Sequence, residues 1–192
     1  HITKSVEQSL QNFHTDYIDT LLIHRPDILM NVEEIAATIT SLKNAGKIKS
    51  FGVSNFTTSQ VALLHKYIPV EHHQVEISVT NLNAFDNGVL DQCQLENIEA
   101  QSWSPMGNGL FTTNTEQHTR ILAEATNLSK VYDCSVNQIL LAFLYAHPSQ
   151  IAPVIGTTKI ERIQEAKKAM EIELTREDFY KLWTASTGKE VA

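Results

Sequence analysis

The chain has 192 residues, 42% of them apolar and 19% charged, enough for one packed core and too apolar for a disordered or low-complexity polypeptide. A net charge of −7 argues against a surface built to grip nucleic acid, and no apolar run nears the roughly 18 residues that span a bilayer. His1-Ile2-Thr3-Lys4 has no signal-peptide character and Cys93 and Cys134 stand apart without ligand-like company, so a disulfide framework and a zinc site are both disfavoured and the cytoplasm is the expected compartment.

The chain opens inside an amphipathic helix, with Val6, Leu10 and Phe13 at helical spacing, an opening that suggests sequence upstream. Residues 17–24 read as a buried strand stopped by Arg25-Pro26-Asp27. Asn31 is expected to cap the next helix, with Glu34 in the capping-box position and Gly46 just past its end. A strand at 49–54 follows, then a helix capped by Thr57 or Thr58, a strand at 73–79, a helix over 83–97 and a strand at 99–103. Two helices, 119–132 and 136–146, precede a strand at 151–155, a helix at 159–170 and a last helix from the cap Thr175 to residue 183.

Strand and helix thus alternate about five times with helix-length connectors, which requires a parallel sheet. Either an open doubly wound sheet or a closed barrel uses that pattern. No strand is followed by Gly-x-Gly-x-x-Gly, and polar residues gather at the strands' C-terminal ends, where barrels carry their chemistry. Five strands fall short of eight. The expected fold is therefore α/β, the C-terminal five βα units of a (β/α)8 TIM barrel, residues 1–192 forming one partial domain from which the N-terminal strands are absent.

Each polar strand end has two readings. His24 is either a buried structural histidine or a site residue ending an interior face. Ser54 and Asn55 either hold a planar amide ligand or cap the helix at Thr57. Gln74 faces a polar ligand or an internal network, and Trp103 stacks on a heteroaromatic ring or fills a core. Gly156-Thr157-Thr158-Lys159, leading into a helix with Arg162 and Glu165, has the composition of an anion site. His72 and His73 are adjacent on a strand and so point to opposite faces, a poor chelate.

Five ordered motifs make the chain resemble the aldo-keto reductase family over nearly its whole length. The strongest is Asp16-Tyr17-Ile18-Asp19-Thr20-Leu21-Leu22-Ile23-His24-Arg25-Pro26-Asp27, followed by Lys43-Asn44-Ala45-Gly46-Lys47-Ile48 running into Gly52-Val53-Ser54-Asn55-Phe56. The resemblance implies that His24 is the catalytic histidine, orienting and polarising a substrate carbonyl. Ser54, Asn55 and Gln74 match positions that bond a nicotinamide carboxamide, and Trp103 stands where an aromatic residue stacks on the nicotinamide ring. The backbone from Ser104 to Gly107 would approach the pyrophosphate, while Thr157, Thr158, Lys159, Arg162 and Glu165 match the adenosine end, Arg162 near a 2′-phosphate.

Two departures bear on that end: Gly156 stands where many members have lysine, and Ala166 where an asparagine often follows the glutamate. The family's catalytic tyrosine, aspartate and lysine would precede this region. The implied function is NADPH-dependent reduction of an aldehyde or ketone, with NADP(H) as cofactor, a small carbonyl compound as partner, and no nucleic-acid or membrane partner. This chain alone would be an inactive, truncated form. The alternative is a non-catalytic nucleotide-binding or cofactor-sensing subunit.

Overall fold

A computed structural model describes residues 1–191. Five of its helices begin where a local polar side chain, Asn31, Thr57, Thr115, Ser135 or Thr175, satisfies a free N–H group of the first turn. Helix α1 spans Ile2–Phe13 and strand β1 Ile18–Ile23. Helix α2, Val32–Asn44, is capped by Asn31, whose carboxamide oxygen accepts the N–H groups of Glu33 and Glu34; Glu34 contributes its backbone rather than its carboxylate. After strand β2, Ile48–Ser54, Thr57 and Gln60 form a reciprocal capping box that starts α3, Thr58–His65. Strand β3 is His72–Glu76 and β4 is Glu99–Trp103. The later helices are α6, Glu116–Val131, and α7, Val136–Tyr145; strand β5 is Ala152–Pro153, and helices α8, Ile160–Lys168, and α9, Arg176–Thr187, follow it.

Helix α6 starts three residues earlier than expected and α9 ends four later, at Thr187, and three further departures have a local physical cause. The helix over 83–97 is two helices, α4 (Asn83–Asp86) and α5 (Val89–Glu96), parted where Gly88 takes φ +81° and breaks the helical path. The strand at 73–79 pairs only as far as Glu76, because Ser78 turns back to bridge Asn81. The last strand shrinks to two residues: Pro153 has no N–H to extend the ladder, and one further bond, Val154 N–H to Ser102 O at 2.8 Å, closes it.

All five strands are parallel and lie in chain order, β1-β2-β3-β4-β5. An order without reversal means that right-handed crossovers wind one way and lay the helices on one face, as in a barrel, whereas a doubly wound sheet has a switch point. The helix-covered face carries Phe51, Val53, His73, Ala100 and Ser102, none exposed at all. Against it packs α7, whose run from Ile139 to Leu144 is wholly buried, and an aromatic group of Phe85, Phe143, Phe179 and Trp183, with Phe143 and Phe179 stacked at 4.4 Å. The other face, carrying Thr20, Ser50, His72, Gln74, Glu76 and Gln101, is polar and half-buried.

Candidate functional site

The register of the sheet brings the polar strand ends level. Ser54 pairs with Gln74, Gln74 with Gln101, and Glu76 with Trp103; His24 follows directly on Ile23, which pairs with Val53. The ends of β2, β3 and β4 are joined by hydrogen bonds, and His24 makes none to them among the described residues. Trp103 Nε1 donates to Asn55 Oδ1 at 3.0 Å, Asn55 Nδ2 donates to Ser54 Oγ at 3.0 Å, and the Asn55 backbone N–H donates to Gln74 O at 3.0 Å. Asn55 takes φ +59°, a left-handed turn that asparagine tolerates better than most residues, and the turn folds its carboxamide back over the sheet. Ser54 and Asn55 therefore do not cap α3; Thr57 does.

Gln74 belongs in part to an internal network, its Nε2 donating to Gln101 Oε1 at 3.0 Å. Trp103 is half-buried and anchored by its indole N–H, so its ring is fixed without being sealed in the core. His24 is exposed at the end of the edge strand β1.

Beside this cluster opens a cleft of about 860 Å³. One wall is the loop after β4, beginning at Ser104 and turning through Gly107; a Cβ on Gly107 would sit 2.7 Å from Thr80. The other wall is the segment from Val154 to Thr157 with Arg162, Glu165 and Ala166 of α8, and α7 contributes Asn137 and Leu141. Gly156 has open space where a side chain would stand. Ser104, Gly107, Thr157, Arg162 and Glu165 are thus brought together. Thr158 and Lys159 are exposed and do not line the cleft, and the Lys159 N–H is already taken by Thr157 Oγ1 at 3.2 Å. Glu165 is held from behind: its carboxylate accepts the Ser135 hydroxyl, and its backbone oxygen accepts Gln138 Nε2 at 3.3 Å.

Sequence patterns gave no notice of a second polar series lower on the open face. Thr20 Oγ1 lies 2.9 Å from Ser50 Oγ, His72 Nε2 lies 3.0 Å from Ser50 Oγ, and His72 Nδ1 lies 3.5 Å from Glu99 Oε1. The succession Ser50, His72, Glu99 has the composition of a nucleophile, base and acid. Its hydroxyl hydrogen, however, goes to the Asp19 carbonyl at 2.8 Å rather than to the imidazole, and the group lies toward the strands' N-terminal ends, away from His24. It serves as a structural network. His72 and His73 do point to opposite faces, and burial pushes the His73 imidazole down to about 4. Among the described residues no cluster of three or more potential metal ligands occurs, and no helix is long and apolar enough to cross a membrane.

A parallel, singly wound sheet with helices laid on one face, its polar strand ends lying next to a cleft that opens at Ser104, defines an α/β fold. The chain belongs to the Aldo/keto reductase family, whose sequence model matches residues 1–186. It is 40% identical to the oxidoreductase YdhF of Escherichia coli and 36% identical to a 6-dehydroglucose reductase of Agrobacterium fabrum, in each case over 100% of this chain and 65% of the relative. An aldo/keto reductase of Klebsiella pneumoniae, solved in complex with NADP and acetate, superposes with a TM-score of 0.79 at 25% identity, covering 94% of this chain and 63% of that one. The chain therefore spans about two thirds of the length of these relatives.

Proposed function

We propose that this chain is the C-terminal five βα units of a (β/α)8 barrel, and that the whole protein is an NADPH-dependent reductase of an aldehyde or ketone. The observation that carries the reading is the continuity of two polar sites through adjacent residues. Trp103 is anchored on Asn55 at the strand-end cluster, and Ser104 opens the cleft that holds Arg162. A long ligand with an aromatic amide at one end and an anionic group at the other fits that arrangement. The half-buried polar face of the sheet and the share of the relatives' length that the chain spans support the barrel.

The residues present fit a nicotinamide dinucleotide. Ser54 and Asn55 offer a hydroxyl and a carboxamide to the nicotinamide amide, and Trp103 offers a ring face. Arg162 offers a planar cation to a 2′-phosphate, and the absent side chain at Gly156 leaves backbone accessible. When bound, the cofactor supplies a hydride to the carbonyl carbon. His24, exposed beside the cluster, donates a hydrogen bond to the carbonyl oxygen and fixes its direction. Contacts remote from the reacting carbon hold the two partners in register, so cofactor binding contributes to rate as well as affinity.

Dinucleotide oxidation by the full-length protein tests this, with 6-dehydroglucose among the carbonyls offered. Arg162→Ala should weaken NADPH binding about 10- to 100-fold, the range for a lost charge-assisted bond, and leave NADH unchanged. His24→Ala should lower kcat about 100-fold with little effect on cofactor affinity. Binding without turnover in the wild type would indicate a nucleotide-sensing protein instead. The 192-residue chain alone should bind and not turn over. Residues encoded directly upstream should hold an Asp-x4-Tyr pair and a strand-end lysine.

A further inference from the structure

We infer that Asn137, on α7, reads the purine base of the bound nucleotide. The inference rests on the proposed reading of the cleft as the cofactor's adenosine end, and it assigns a binding role to a residue outside every motif in the sequence.

Helix α7 begins with a reciprocal cap. Ser135 Oγ accepts the Gln138 N–H at 3.2 Å, and Gln138 Oε1 accepts the Ser135 N–H at 3.0 Å. The same two side chains reach across to α8. Ser135 donates its hydroxyl to the Glu165 carboxylate, and Gln138 Nε2 donates to the Glu165 backbone oxygen. Four hydrogen bonds at positions 135 and 138 are thereby spent on fixing the first turn of α7 and holding it against α8. Asn137 sits between them in that turn and lines the cleft beside Glu165 and Ala166. Its carboxamide makes no hydrogen bond to any described residue, although the residue is only half-exposed.

A carboxamide offers one acceptor and two donors in a plane, a match for the adjacent exocyclic amine and ring nitrogen of adenine. Ala166, on the facing wall, brings only a methyl group. Glu165 beside it brings only acceptors, so the amide donor that meets a ring nitrogen of the base on this side comes from α7. Because the turn is locked through Ser135 and Gln138, the backbone that carries the carboxamide has little entropy left to lose, and only the side-chain torsions remain to be fixed on binding.

Titration of the full-length protein with NADPH, NADH and the hypoxanthine analogue of NADPH tests the assignment. Asn137→Ala should weaken NADPH and NADH by the same factor, about three- to tenfold for one or two net hydrogen bonds. It should also narrow the preference for adenine over hypoxanthine. The thermal midpoint should not fall, since the side chain has no hydrogen bond to a described residue to lose and alanine is the better helix former. Adding Ala166→Asn to Asn137→Ala should restore affinity by supplying a carboxamide from the opposite wall. Unchanged affinities in Asn137→Ala, where the wild type binds NADPH, would overturn this inference and leave the cleft reading intact. A wild type that binds neither dinucleotide would overturn both.

Discussion

The two faces of the sheet are made by the same five strands, residue by residue in alternation, yet they are different materials. On the helix-covered face, Val53, His73 and Ala100 meet across three strands with no exposure, and the core continues into α7 and the aromatic group around Phe143. One residue along each strand, Ser54, Gln74 and Gln101 form the opposite face, half-buried apart from Ser54, with hydroxyl and amide groups bonded to one another. The first face stabilises the fold by removing apolar surface from water; the second spends its side chains on mutual hydrogen bonds and on whatever occupies the strand ends. Stability and recognition are thus divided by the pleat.

The largest consequence should come from the covered face. Phe51 is fully buried, and Phe51→Ala should cost about 3–5 kcal/mol, read as a fall in urea midpoint. Next comes pH. His73 is fully buried, and burial, outweighing an interaction with the Phe56 backbone, holds its pKa near 4 against an ordinary 6.5. The unfolded chain therefore takes up a proton below 6.5 that the folded chain refuses until about pH 4. Stability contributed by the neutral ring is complete above pH 6.5 and is lost as pH falls toward 4, by about 3 kcal/mol at most. Urea midpoints measured from pH 8 to pH 4 should fall along that window, and His73→Leu should flatten the curve. A wild-type curve level across the window would show that the pocket admits the imidazolium.

Sequence alone carried much of this because the signals are local. Asn31, Thr57 and Thr175 cap their helices where short-range hydrogen bonding says they must, and alternation assigns His72 and His73 to opposite faces. The break at Gly88 escaped notice because apolar spacing runs on across it while the backbone does not. The shortened β5 follows from Pro153, whose effect depends on which edge it faces. Contacts between distant residues were beyond reach: Trp103 meets Asn55 across 48 positions, and Ser135 meets Glu165 across 30. Asn137 had no motif to announce it, since nothing in Val136-Asn137-Gln138 says which of its side chains is left unspent.

The smallest effect divides the two roles within four residues. Thr57 holds the α3 cap, and Thr57→Ala should cost about 1 kcal/mol of stability with dinucleotide affinity unchanged. Ser54 lies at the end of β2 and accepts only the Asn55 carboxamide, so Ser54→Ala frees that amide and disturbs the strand-end cluster. Its stability should fall by less than that of Thr57→Ala, while affinity for the nicotinamide end drops about threefold to tenfold, the worth of one net hydrogen bond. Paired melts and NADPH titrations on the two variants separate the cases. Equal losses of affinity in both would mean that the turn from Ser54 to Thr57 moves as one unit, because a cap that merely starts a helix has no means of reaching the ligand except through the turn it anchors.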